Sequence, residues 1–246
     1  MQFFRAIFSG LVLFLAIAGG IRAETATVAV AANFVTTAEL LAEAFERDTG
    51  HEIVLVPGST GKLYAQIIKG APFDVFLAAD AARPAALEKE ELVAGRKPYA
   101  YGRLVLLVRG RREASLEAIT SDKLRIAIAN PELAPYGHAA RQVLGGLRGA
   151  ANWNANLVYG DDIGQTMNFI ASRNADAALV ALSQTPLVNF RAQELLIPTD
   201  LYDPIRQEAV LLERATSNAA ARNFFEYLDS PTARRLIEAS GYGWQE

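Results

Sequence analysis

The chain has 246 residues, enough for one domain or two small lobes, and half of them are apolar. A formal net charge of −3 with 21% charged residues argues against a nucleic-acid footprint and against disorder. With no cysteine, disulfides, thiolate metal sites and a cysteine-linked lipid are all excluded, and packing alone must hold the fold.

In chain order, Arg5 precedes an apolar run over residues 6–18, and small residues lead on to Ala23. This is the plan of a cleaved secretory signal peptide over residues 1–23. The run is short for a membrane span, which needs roughly 20 residues. Residues 25–32, "TATVAVAA", read as a buried parallel strand. Phe34, Ala38, Leu41 and Phe45 then recur at helical spacing, with Gly50 as the stop. "EIVLV" is a second strand, a helix runs through "LYAQIIKG", and "DVFLAA" is a third strand. Asp80 caps a helix expected over residues 81–93. His51, between helix and strand, is expected in an exposed turn.

The pattern changes near "RKPYAYGRLVLLVRG", and β-α alternation restarts. "LRIAIAN", "ANLVYG" and "DAALVAL" are strands; "YGHAARQVLGGL" and "IGQTMNFIASRN" are helices. "IRQEAVLLER" is a strand returning toward the first unit. Two amphipathic helices close the chain, the last with Ser230 as cap, Pro231 at its first position and Gly241 as stop. The expectation is an α/β protein of parallel sheets with right-handed crossovers. One lobe takes residues 24–101 and 206–246, and the other takes 102–205. Segments near 99–102 and 202–205 cross between them, and a ligand cleft lies between the lobes.

Four strand-to-helix junctions share one character: "AANF", "GSTG", "NPELAPYG" and "DDIGQ". Each presents backbone N–H groups at a helix start, two junctions to each lobe. Taken singly, Asn33, Ser59 or Thr60 is as readily a cap, and Asp161 and Asp162 complement a helix dipole. Joint recurrence points to a cage of neutral donors for an anion. "PGSTGKL" is not a phosphate loop of the G-x-x-x-x-G-K-[ST] type, because Gly58 and Gly61 are too close and Leu63 follows Lys62. Lys62 reads as a solvated side chain. The two histidines, His51 and His138, form no metal-ligand spacing, and no G-x-S-x-G elbow is present.

"VAVAANF", "PGSTGKLYAQIIKGAPFDVFLAAD", "NPELAPYGHAARQVL" and "DDIGQ" together resemble, in the same order, the periplasmic molybdate-binding proteins of ABC uptake systems. The resemblance runs over residues 25–242. It implies a type II periplasmic-binding fold, two lobes with a two-crossover hinge, and molybdate or tungstate in the cleft. It also implies delivery to a membrane permease, a periplasmic monomer and no catalysis. No cofactor is implied, and the molybdenum would be held through its oxygens, not by direct protein–metal bonds. Carried over by position, the oxyanion contacts are Asn33, Thr60, Tyr136 and Ile163, with Ser59 in support. Tyr136 would serve through its N–H and also its hydroxyl, and Ile163 through its N–H. Ala181 stands where one branch of the family has tyrosine, and Ala32 where another has a hydroxyl residue, so the full donor set stays open. A sulfate or other oxyanion carrier is the alternative in the same class, and a periplasmic enzyme with an α/β cleft the alternative outside it.

Overall fold

A computed structural model describes residues 23–120, 124–149, 152 and 154–244. The signal-peptide reading falls outside the described residues except at Ala23. The first lobe opens with β1 (Thr25–Ala31), α1 (Val35–Thr49), β2 (Glu52–Gly58), α2 (Thr60–Ile68), β3 (Val75–Ala78), α3 (Ala82–Lys89) and β4 (Val93–Gly102). Arg103 alone separates β4 from β5 (Leu104–Arg109) of the second lobe. There α4 (Leu116–Thr120), β6 (Ile126–Ala129), α5 (Pro135–Arg148), β7 (Leu157–Gly160), α6 (Ile163–Ala171), β8 (Ala177–Ala181) and β9 (Ala192–Leu196) follow. The chain returns as β10 (Ile205–Leu212) and ends in α7 (Ala219–Tyr227) and α8 (Pro231–Ala239).

Two five-stranded sheets result, ordered β2-β1-β3-β10-β4 and β7-β6-β8-β5-β9. The two orders are alike. In each, three parallel strands meet one antiparallel strand that arrives from the crossing, β10 in the first and β5 in the second. The sheets are therefore mixed rather than all parallel, because a strand entering from the other lobe runs against its neighbours. Each sheet is buried on both faces, which is why β1, β3, β6 and β8 read as continuous apolar runs. One core gathers the second lobe around Leu104, Leu106, Ile126, Ile128 and Val143. Two cores flank the first sheet, around Phe34, Leu41 and Phe224 on one side and Phe76, Leu63 and Leu87 on the other. Each such buried side chain contributes about 1.5–3 kcal/mol.

The helix expected over residues 81–93 ends at Lys89. Glu91 turns the chain at φ 59°, and Val93 opens β4. β4 is an edge strand carrying Gly95, Arg96, Lys97 and Pro98, residue types that blunt an edge and hide a strand's pattern. His51 is buried at 3% exposure, not exposed. Its Nδ1 accepts from the Glu24 N–H at 3.2 Å, its ring stacks on Phe45, and Asn223 of α7 meets its Nε2. Helix α7, from the far end of the chain, covers a turn that looks open in isolation.

Candidate functional site

Asn33, Ser59, Thr60, Tyr136 and Ile163 come together around one small pocket of about 10 Å³, lined also by Ala31, Ala32, Ala134, Pro135 and Asp162. The four junctions that supply them lie at the carboxyl ends of β1, β2, β6 and β7. No lysine or arginine lines it. That volume is far below the roughly 300 Å³ at which pockets for organic ligands begin.

The free donors follow from helix geometry, because a first turn leaves its N–H groups without intrahelical acceptors. In α2, the Gly61 N–H reaches the Leu133 carbonyl of the other lobe at 2.9 Å. Lys62 and Leu63 donate back to Ser59, to its Oγ at 3.4 Å and its carbonyl at 3.0 Å. Thr60 N–H is left over. In α5, Pro135 has no N–H, and Gly137 and His138 donate to the Ala134 carbonyl, leaving Tyr136 N–H. In α6, Gln165 and Thr166 donate to Asp162, leaving Ile163 and Gly164. Asn33 occupies the 3-10 turn Ala32–Phe34 and has its N–H free in the same way.

Two hydroxyls add to these amides. Thr60 Oγ1 accepts from the Ala79 N–H at 3.2 Å, so its proton is free to donate. Ser59 Oγ caps α2 and also keeps its proton. Two glycines let the helix starts approach the strand ends. A Cβ at Gly137 would stand 2.2 Å from the Ala129 carbonyl oxygen, and one at Gly160 would stand 2.8 Å from the Thr166 nitrogen.

The Tyr136 hydroxyl is engaged by Gln207. Its ring is buried, and its oxygen accepts from Gln207 Nε2 at 3.2 Å. Burial, followed by the neighbouring Tyr242, Tyr99 and Tyr202, pushes this phenol well above the usual tyrosine range, so it stays neutral. Asn33 likewise spends its side-chain amide, on Gln207 Oε1 at 3.0 Å and the Tyr242 hydroxyl at 3.1 Å. Tyr242 donates back to the Asn33 carbonyl at 2.7 Å, and Ser183 Oγ sits 3.1 Å from the same carbonyl. Sequence reading missed Gln207, Tyr242, Tyr99 and Ser183. The one signal was "RQEAV", a polar pair inside a strand that is otherwise apolar.

Lys62 is paired with Asp161 of the other lobe at 2.6 Å, with both side chains about half exposed. Asp162 Oδ1 caps α6 through Gln165 N–H. His138 lies instead in a separate, larger groove of about 380 Å³ lined by Asp80, Arg83, Glu132, Arg141 and Asp203. That groove is wide and its charges cancel locally: Arg83 pairs with Asp80, and Arg141 with Glu132 at 2.9 Å. The helix starts converge instead on the smaller pocket. Among the described residues no group of three His, Asp or Glu could hold a metal.

The profile of the bacterial extracellular solute-binding protein family matches residues 26–243. The chain belongs to that family. The solute-binding protein is 43% identical over 235 residues to the molybdate-binding protein ModA of Azotobacter vinelandii, covering 91% of this chain and 92% of that one. It is 38% identical over 245 residues to the molybdate-binding protein ModA of Rhodobacter capsulatus, covering 98% and 97%. Among solved structures, the periplasmic molybdate-binding protein of Azotobacter vinelandii superposes with a TM-score of 0.84 at 34% identity, over 90% of this chain and all of that one. The sulfate-binding protein SubI of Mycobacterium tuberculosis superposes with a TM-score of 0.77 at 13% identity, over 89% of this chain and 86% of that one, a likeness of fold alone. The two-lobed fold of the solute-binding protein is therefore shared with proteins named for molybdate and for sulfate.

Proposed function

We propose that this protein captures molybdate or tungstate in its interlobe pocket and hands the anion to the permease of an ABC transporter. The observation that carries the reading is the convergence of unspent donors, Asn33, Thr60, Tyr136 and Ile163 N–H with the Ser59 and Thr60 hydroxyls, on one small space without a cation. Molybdate, tungstate and sulfate are dianions that only accept hydrogen bonds at neutral pH. Phosphate keeps a proton in part, and a site selective for it gains from an acceptor. Each charge-assisted hydrogen bond contributes about 1.5–3 kcal/mol, and the helix starts add roughly half a positive charge each. A buried lysine or arginine would add attraction but also a desolvation cost.

The relatives at 43% and 38% identity favour molybdate over sulfate. A rigid cage of amides separates the two by radius, since the metal–oxygen bonds are longer. The anion would settle on one lobe, and hinge closure would bring the donors of the second. The protein acts as a carrier and not as an enzyme, works as a monomer, and reaches the periplasm through a signal peptide cleaved after Ala23. Calorimetric titration with molybdate, tungstate, sulfate and phosphate tests the reading. Tight heats with molybdate and tungstate and none with phosphate are expected. Silence with molybdate, or stronger binding of sulfate, overturns it.

A further inference from the structure

We propose that Gln207 is the positioning residue that couples lobe closure to anion capture. The inference deepens the oxyanion-carrier reading and rests on it. Gln207 is fully buried on β10, two residues beyond the second crossing between lobes. Its Oε1 accepts from Asn33 Nδ2 at 3.0 Å and from the Tyr99 hydroxyl at 3.0 Å, both in the first lobe. Its Nε2 donates to the Tyr136 hydroxyl, in the second lobe, at 3.2 Å. Asn33 and Tyr136 also both line the pocket, one from each lobe. One side-chain amide thus ties the two halves of the cage together from behind.

Gly102, at the first crossing, shapes the receptor for this contact. A Cβ there would lie 2.2 Å from the Tyr136 hydroxyl oxygen, 2.8 Å from Tyr136 Cζ and 3.0 Å from Gln207 Nε2. The hydroxyl of one lobe therefore docks in a space that only glycine leaves open on the other. When the lobes part, Gln207 Nε2 and the Tyr136 hydroxyl are separated and turn to water. When they close, the bond re-forms in a buried setting where an unmade partner is costly. The same movement swings the start of α5, and with it the Tyr136 N–H, onto the anion. Closing without aligning the cage would leave this amide unpaired.

The test combines molybdate calorimetry with small-angle scattering on the full mature protein. Wild type is expected to bind and become more compact. Gln207→Leu and Gly102→Ala are expected to weaken binding about tenfold or more and to lose part of the compaction. Gly102→Ala disturbs a contact between lobes and should keep the circular dichroism of wild type, whereas Gln207→Leu also leaves Asn33 Nδ2 and the Tyr99 hydroxyl without their shared acceptor, so its thermal melt is followed beside its binding. Gln207→Glu supplies a readout that a loss of folding cannot imitate. A buried carboxyl has a raised pKa, so this variant should bind weakly near about pH 9 and recover near about pH 6, where the protonated acid again offers one donor and one acceptor. Wild type should change little over that range. Wild-type affinity and compaction in Gln207→Leu, or a pH-independent Gln207→Glu, overturns the coupling while leaving the carrier reading intact. Failure of wild type itself to bind molybdate overturns the carrier reading and the coupling with it.

Discussion

Thr60 accepts the Ala79 N–H and keeps its own proton for the pocket, so one oxygen anchors α2 to β3 and also offers a donor. Thr60→Ala should therefore weaken molybdate binding by roughly ten- to a hundredfold, the loss of one charge-assisted hydrogen bond. Its folding stability should fall by only about 1 kcal/mol. Thr60→Ser should stay within a few-fold of wild type. Calorimetry and thermal melts measure both, and an unchanged affinity in Thr60→Ala removes this hydroxyl from the site. Residues of this kind were legible in the sequence because a helix start announces itself locally. Ser59 and Asp162 each stand three residues before the N–H that they cap. Gln207 was not legible, because its partner Asn33 lies 174 positions away and nothing local marks the pair.

At the level of elements, the site depends on how closely α5 and α6 stand over the ends of β6 and β7. Gly137→Ala would drive a methyl into the Ala129 carbonyl, which is backbone and cannot step aside. A loss of about 1–3 kcal/mol is expected, together with weaker anion binding, because the neighbouring Tyr136 N–H moves with the helix. Gly145 lies on the same helix with nothing within 4 Å of an added Cβ, so Gly145→Ala should be neutral or stabilising by up to about 1 kcal/mol. Chemical denaturation of the pair separates crowding from helix propensity, and equal effects would sink the packing argument. The helices and buried strands were visible as periodic or continuous apolar runs. β4 was not, because an edge strand alternates weakly and carries the charges and proline that protect it. His51 was misjudged for a related reason, since α7, which covers it, arrives from the far end of the chain.

Across the whole molecule, polar contacts between the lobes include Gly61 N–H to Leu133 O, Arg83 to the Glu132 carbonyl at 2.8 Å, and the Lys62–Asp161 pair, beside the Gln207–Tyr136 and Ser183–Asn33 bonds. The Lys62–Asp161 pair is half exposed, so it contributes about 0.2–1 kcal/mol and is screened by salt. Lys62→Ala should speed molybdate release a few-fold at low ionic strength, and the difference from wild type should vanish near 1 M salt, where the screening length is about 3 Å. Stopped-flow release measurements at two salt concentrations check this, and a salt-independent difference would place Lys62 in contact with the anion instead. By itself the sequence determined most of the strands and helices and the starts of the helices at the four junctions, because those are matters of local periodicity and capping. Only the tertiary structure decided that the Tyr136 hydroxyl and the Asn33 amide turn away from the pocket to Gln207. It also decided that Lys62 ends on Asp161 and that the sheets are mixed. Each of these depends on surfaces brought together by two crossings of the chain, and side chains so far apart in sequence find each other only once the chain has folded.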